Sequence, residues 1–159
     1  MAASEAIEVR PALDADRLPL ALLFAAVAEE RDGIAAEPPI DVARRAAAWS
    51  LEETLVALGD GEIVGLLFVD TTSFGFGELG MLVSREWRGR GVGTALVAAA
   101  IEWARAHDLH KLTLSVFPHN QPAIALYRKF GFVEEGLRTK QIRRRNGELW
   151  DLLEMGLLL

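Results

Sequence analysis

Cysteine is absent from this 159-residue chain, which excludes disulfides, thiolate metal sites and a cysteine nucleophile. Only three histidines occur, His107, His110 and His119, and they lack metal-ligand spacing; no metal is expected. No apolar run approaches the roughly twenty residues of a membrane span, and the N-terminus shows no basic flank leading into an apolar signal core. A membrane partner is therefore not expected, and the chain reads as a cytoplasmic protein. Excess positive charge is also lacking. A formal net charge of −6 argues against a nucleic-acid partner, because phosphate backbones attract basic faces. The one basic cluster, Arg138 to Arg145 with Lys140, Arg143, Arg144 and Arg145, reads as the solvated face of a hairpin in preference to an anion site. Tyrosine is nearly missing: Tyr127 stands alone beside seven phenylalanines and four tryptophans, so a hydroxyl is wanted at that one place.

About half of the residues are hydrophobic, enough for a single core, and residues 1–159 are expected to form one domain. In chain order, Ala6 to Arg10 alternates as a short strand. Asp14 is placed to cap a helix running to about Glu30, whose end carries Glu29 and Glu30 with Asp32 and Glu37 just beyond. Acids are mildly unfavourable at a helix C-terminus, and one reading of them is a patch that receives a substrate ammonium. Asp41 to Ser50 reads as a second helix after Pro38-Pro39. Strands are expected at Leu51 to Leu58 and Glu62 to Val69, joined by Asp60-Gly61, then at Glu78 to Ser84 and Leu112 to Val116. Between the last two, Val92, Ala95, Leu96, Ala99 and Trp103 recur at helical spacing. Strand, loop, helix and strand make a crossover unit with two parallel strands. A short helix follows from Gln121 to Phe130, with Asn120 at its cap and Pro122 in its first turn. Phe132 to Arg143 and Glu148 to Met155 then pair across Asn146-Gly147.

The stretch Glu78 to Ala106 organises this order. In Arg88-Gly89-Arg90-Gly91-Val92-Gly93, three glycines alternate where a helix begins, and the first turn of a helix exposes N–H groups without partners inside it. Those donors, the helix dipole and the two arginines suit a phosphate. A P-loop would need a lysine followed by serine or threonine at the end of this loop, but Thr94 follows Gly93 directly. A dinucleotide fold would need an acid near the end of the next strand, which opens His110-Lys111-Leu112.

Arg88, Gly91 and Gly93 match the Arg/Gln-x-x-Gly-x-Gly/Ala pyrophosphate motif, and Asn120 to Phe132 matches N-x-x-A-x-x-L-Y-x-x-x-G-F. With both motifs in order, the chain resembles the GNAT superfamily of acyl-CoA-dependent N-acetyltransferases. The resemblance implies an α/β (α+β) GNAT fold, a mixed central sheet of about seven strands flanked by about four helices. It implies acetyl-CoA as cofactor, with the amides of Arg88, Gly89, Arg90, Gly91, Val92 and Gly93 at the pyrophosphate. It also implies a pantetheine arm along Leu82 and Val83, contacted by Asn120, with a backbone N–H near Leu82 as oxyanion donor. In the matching position Tyr127 acts as general acid.

An alkyl ammonium must lose a proton before it attacks. Glu78 is the first candidate for the base, with Glu29 and Glu30 as alternatives and as substrate-binding acids; some relatives carry a glutamate on the strand after the motif helix, where this chain has Thr113 and Ser115. A water chain could also remove the proton. His119 could reach the cleft but reads as a structural loop histidine. The expected activity is acetyl transfer from acetyl-CoA to a primary amine of a small molecule or a peptide, by direct attack in a ternary complex. The alternatives are a non-catalytic acyl-CoA-binding sensor and, from the glycine loop alone, a nucleotide-binding regulatory domain. The apolar C-terminal strand suits either pairing within its own subunit or a homodimer.

Overall fold

The computed structural model describes residues 6–159. Its strands are β1 (Glu8–Pro11), β2 (Thr54–Gly59), β3 (Glu62–Thr71), β4 (Phe76–Val83), β5 (Lys111–Val116), β6 (Val133–Arg143) and β7 (Leu149–Leu158); its helices are α1 (Arg17–Glu29), α2 (Val42–Ala47), α3 (Val92–Ala106) and α4 (Gln121–Lys129). The strands form one seven-stranded sheet in the order β1-β2-β3-β4-β5-β7-β6. Only β4 and β5 run parallel, as the long α3 crossover between them requires. Among the described residues no helix is long and apolar enough to cross a membrane.

The two faces of the sheet bury two separate apolar clusters. On one face α3 lays Leu96, Val97 and Ile101 against Leu112, Leu114 and Met155. Val92 and Leu96 follow the spacing read from the sequence, but the buried stripe turns toward Val97, Ala100 and Ile101 and leaves Ala95, Ala99 and Trp103 half-buried; burying each large apolar side chain fully contributes about 1.5–3 kcal/mol. On the other face α1 sets Leu20, Leu23, Phe24 and Val27 over Val56, Leu66 and Leu82, with Trp49 from the end of α2 beside them. Alternate residues of β3 and β4 face opposite clusters, which explains the nearly continuous apolar run in β3.

Several boundaries differ from expectation for local reasons. Asp14 to Asp16 form a short 3-10 turn, and α1 begins only at Arg17. Asp14 therefore does not cap α1; it pairs with Arg17 at 2.8 Å. The buried Asp16 receives the Arg10 guanidinium at 2.7 and 3.1 Å and the Leu13 N–H at 2.7 Å. Helix α2 stops at Ala47 instead of Ser50. Its terminal carbonyls and that of Trp49 are taken by Arg17, and the Trp49 indole turns inward to donate to Thr54 Oγ1 at 3.1 Å. In the β6–β7 hairpin the ladder closes at Arg143 and Leu149, so the connection spans Arg144 to Glu148 and is longer than a two-residue turn. Strand β7 pairs with β5 on one side and β6 on the other, within its own chain.

Candidate active site

The parallel ladder of β4 and β5 runs only from Phe76 and Lys111 to Leu79 and Leu114. Beyond it the strands part: β5 continues against β7 through Ser115 and Val116, while β4 continues against β3 to Val83. Bonding groups alternate along an antiparallel strand. Because Ser84 donates to the Val64 carbonyl at 2.8 Å and Thr72 to the Phe76 carbonyl at 3.0 Å, even-numbered residues of β4 direct their backbone groups toward β3. Leu82 is one of these, so its N–H points away from the gap. The groups that face the gap belong to Met81 and Val83, and this moves the expected oxyanion donor off Leu82. The spacing of the motif located the strand, but sequence alone did not show which parity faces β3.

At the end of β4 a 3-10 turn, Arg85–Trp87, leads into the glycine loop. Gly91 holds φ +88°, a left-handed conformation that opens α3 without a side-chain cap. The first intrahelical bond is Ala95 N–H to the Gly91 carbonyl at 3.1 Å, which leaves the N–H groups of Val92, Gly93 and Thr94 as first-turn donors. Gly93 serves a different purpose: a Cβ there would lie 2.9 Å from Leu126 Cδ2 and 3.4 Å from Met81 Cε, so its absence lets α3, α4 and β4 meet. Val92 is core, 1% exposed, and can offer a ligand only its backbone. The Arg90 guanidinium lies 3.8 Å over the Trp87 ring and donates to the Glu86 carbonyl at 3.3 Å.

Arg88 is the residue whose setting departs most from expectation. Its Nε donates to the Val83 carbonyl at 3.1 Å, and its two terminal nitrogens grip the Glu30 carboxylate at 2.6 and 2.7 Å. That bidentate bond, followed by the arginine's charge, lowers the Glu30 pKa against the opposing effect of burial. Glu30 is thus paired with Arg88 of the glycine loop and does not present a free charge to a substrate ammonium. Glu29 is exposed and lines a groove with Ser84, Arg85 and Glu86 on the same side. Of the acids expected to receive a substrate ammonium, Glu30 is thus held by Arg88 while Glu29 faces the groove.

The residues after α1 form a strap over the parting strands. On one side Glu30 holds Arg88; on the other, the His119 ring bonds Asp32 at 3.0 Å, and the Arg145 N–H bonds the Glu37 carboxylate at 2.8 Å. Arg144, 3% exposed, donates to the carbonyls of Arg31, Ile34 and Ala35 at 3.0–3.3 Å and lies 4.2 Å over the Trp150 ring. His119 packs parallel to Phe117 and edge-on to Trp150, in keeping with a structural loop histidine. Arg144 is a correction. Within a basic run it read as solvated, but the turn before Asn146-Gly147 aims it inward, and only its place at the hairpin end hinted at this.

Glu78 lies on the α1 face of β4, opposite Asp70 in β3 and Thr113 in β5. Partial desolvation first, then the charges of Glu154 and Asp70, raise its pKa against the pull of Arg138, which suits a base. Sequence reasoning missed Glu154. It reaches from β7 to accept from Ser115 Oγ at 2.7 Å and Arg138 Nε at 3.2 Å, so an acid stands next to the place where Ser115 had replaced one. Asn120 caps α4, its Oδ1 accepting from Ala123 N–H at 3.4 Å; its amide N–H groups donate to none of the described residues. The Tyr127 ring, 5% exposed, packs 5.6 Å from Phe132. Burial raises the pKa of its phenol, so the group stays protonated. No described residue bonds its hydroxyl, and no described side-chain polar atom is both buried and unpartnered, so the hydroxyl keeps some exposure to solvent. Among the described residues no acid or histidine cluster is arranged to hold a metal.

A mixed sheet that parts beside a glycine-opened helix, with a buried tyrosine offering its hydroxyl, is the architecture of an acyl-CoA-binding class. The Acetyltransferase (GNAT) family model matches residues 23–132, and the chain belongs to that family. It is 38% identical over 109 residues to the L-amino acid N-acetyltransferase AaaT of Escherichia coli, covering 64% of this chain and 65% of that one, just under two thirds of the relative. It is 31% identical over 134 residues, 77% of each chain, to an L-methionine sulfoximine/L-methionine sulfone acetyltransferase of Pseudomonas aeruginosa. In fold it resembles a phosphinothricin acetyltransferase of Sinorhizobium meliloti solved in complex with acetyl-CoA, with a TM-score of 0.85, 22% identity and coverage of 96% of this chain and 88% of that one.

Proposed function

We propose that this chain acts as one N-acetyltransferase domain, moving the acetyl group of acetyl-CoA to the primary amine of a small acceptor by direct attack in a ternary complex. The observation that carries this reading is the parting of β4 and β5 beyond Leu79 and Leu114 beside the Gly91 start of α3. Strand β4 there offers backbone groups with no strand across from them, a site for an extended amide-bearing chain. The first-turn amides of α3 and the charge of Arg88 fit a pyrophosphate, and Asn120 has amide donors to spare. Acetyl-CoA, when bound, supplies an activated thioester.

The chain's own groups supply the rest. Glu78, its pKa raised, takes a proton from the acceptor ammonium, directly or through water. The Met81 or Val83 N–H stabilises the carbonyl oxygen as it gains charge, an effect typically worth on the order of a hundredfold in rate per donor. The Tyr127 hydroxyl donates the proton that the departing thiolate needs. Likeness to acetyltransferases named for amino acids and their analogues supports a small acceptor.

The reading extends to action in the cytoplasm and to a homodimer joined at the outer strand β6, where Val133 and Leu137 are 61% and 54% exposed; light scattering of the purified protein tests the dimer. Amine-dependent release of thiol from acetyl-CoA tests the activity. A sensor module would bind acetyl-CoA and release none.

A further inference from the structure

Arg45 has a setting that the chemistry above leaves unused. Its guanidinium stands 3.9 Å over the Phe24 ring and 5.1 Å from that of Trp49. No described residue accepts a hydrogen bond from it or pairs with it. Partial burial alone lowers its pKa, yet an arginine keeps its charge. The ring contacts hold this exposed guanidinium in place and leave its N–H donors turned to no protein acceptor among the described residues, so they are available to a ligand carboxylate.

That cation faces a cavity of about 250 Å³ between α2 and the sheet, lined also by Trp49, Ser50, Glu53, Phe68 and Asp70. Glu53 is engaged by the Thr71 hydroxyl. Asp70 accepts no hydrogen bond from the described residues, nor does its cross-strand neighbour Glu78. The cavity also adjoins the proposed reaction centre. The Phe68 ring lies across Gly80, where an added Cβ would come within 2.6 Å of Phe68 Cε1, and Gly80 is the first residue of β4 beyond its ladder with β5. One wall of the cavity thus carries the Arg45 cation, and the wall next to β4 carries the Asp70 carboxylate, with Glu78 across the ladder from it. A polyamine would bring a second ammonium toward Arg45 and be repelled. A molecule with one anionic and one cationic end matches both walls.

We propose that Arg45 anchors the carboxylate of the acceptor, which is a free α-amino acid whose ammonium lies toward Asp70 and Glu78. This rests on the N-acetyltransferase reading above. It adds a specificity-determining residue and narrows the acceptor from any primary amine to a zwitterionic one.

The test compares L-methionine with 3-(methylthio)propylamine, the same molecule without its carboxylate, by thiol release at saturating acetyl-CoA. The expected result for the unaltered protein is a kcat/KM ratio of roughly thirtyfold or more in favour of the amino acid, as a charge-assisted bond implies. Arg45→Gln should reduce that ratio to about threefold or less, chiefly through a higher KM for methionine, and Arg45→Lys should restore part of it, as expected when charge is kept but the fork is lost. Equal or better use of the amine by the unaltered protein would overturn the proposal without any variant, so a folding defect in Arg45→Gln leaves it decidable. Calorimetry with L-methionine separates acceptor binding from acetyl transfer. Binding that Arg45→Gln abolishes, with no thiol release from any amine, would overturn acetyl transfer and keep the anchor. Thiol release from amines without any carboxylate preference would do the reverse.

Discussion

Removing the Glu30 carboxylate should tighten acetyl-CoA binding, although Glu30 touches the phosphate loop in a way that looks supportive. Its two oxygens occupy the Arg88 fork at 2.6 and 2.7 Å, with the two side chains 20% and 44% exposed. For Arg88 to turn its fork to a pyrophosphate, that pair must first break. A pair this exposed is worth about 0.5–1 kcal/mol, and the whole of it opposes binding when Arg88 exchanges partners. Glu30→Gln lifts that opposition and removes a negative charge near the phosphates, so the dissociation constant should fall about two- to fivefold. Because Arg88 holds the Glu30 pKa down, the pair contributes fully above the ordinary carboxylate value. It is lost as pH falls through the lower folded value, so the difference between the two proteins should be complete at neutral pH and shrink in acid. Isothermal calorimetry with acetyl-CoA at two pH values measures both effects. Weaker binding by Glu30→Gln would refute the reasoning, since it would mean that the strap must stay fastened to Arg88 for the cleft to hold its ligand.

Three other outcomes follow from the same geometry. Glu78→Gln should lower kcat by about a hundredfold and remove the acidic limb of the kcat/KM profile, which in the unaltered enzyme should lie above the ordinary carboxylate pKa because the Glu78 value is raised; an unchanged profile would assign the base to water. Gly91→Ala should cost about 1–2 kcal/mol of stability, measured by denaturant unfolding, because an alanine must be held at φ +88°; an unaltered midpoint would show that the loop relaxes freely. Arg144→Leu should cost about 2–3 kcal/mol, since three strap carbonyls lose their donor, and should raise the acceptor KM; an effect on neither would mean that the strap holds without it.

Periodic and local features were legible in the sequence. The spacing of Val92, Leu96 and Trp103 drew α3, Asn120 and Pro122 drew the start of α4, and a helix between two strands implied the parallel pair. The two motifs, one at the start of α3 and one at α4, were needed to propose Gly91, Asn120 and Tyr127 as parts of one site. What could not be read was long-range. Asp14 and Asp16 are equivalent as caps until Arg10 claims Asp16. Glu30 looks like a substrate acid until a residue 58 positions away occupies it, and Arg144 looks solvated until the carbonyls of the strap are brought to it. The parity of β4 was hidden for a related reason. Side-chain alternation shows which face a residue takes, whereas the direction of its N–H depends on register with β3, to which Leu82 contributes no local sign. Glu154 belongs to the last strand and acts on Glu78 through its charge only because β7 inserts next to β5.

Thiol release from acetyl-CoA over a panel of amines, run side by side on the unaltered protein and Tyr127→Phe, decides whether this cleft transfers acetyl groups. The expected result is amine-dependent release with a matching N-acetylated product, slowed about a hundredfold or more by loss of the hydroxyl while the KM for acetyl-CoA changes little. Saturable binding of acetyl-CoA with no amine-dependent release would contradict the transferase, and equal turnover by Tyr127→Phe would contradict the role of the buried phenol as its acid.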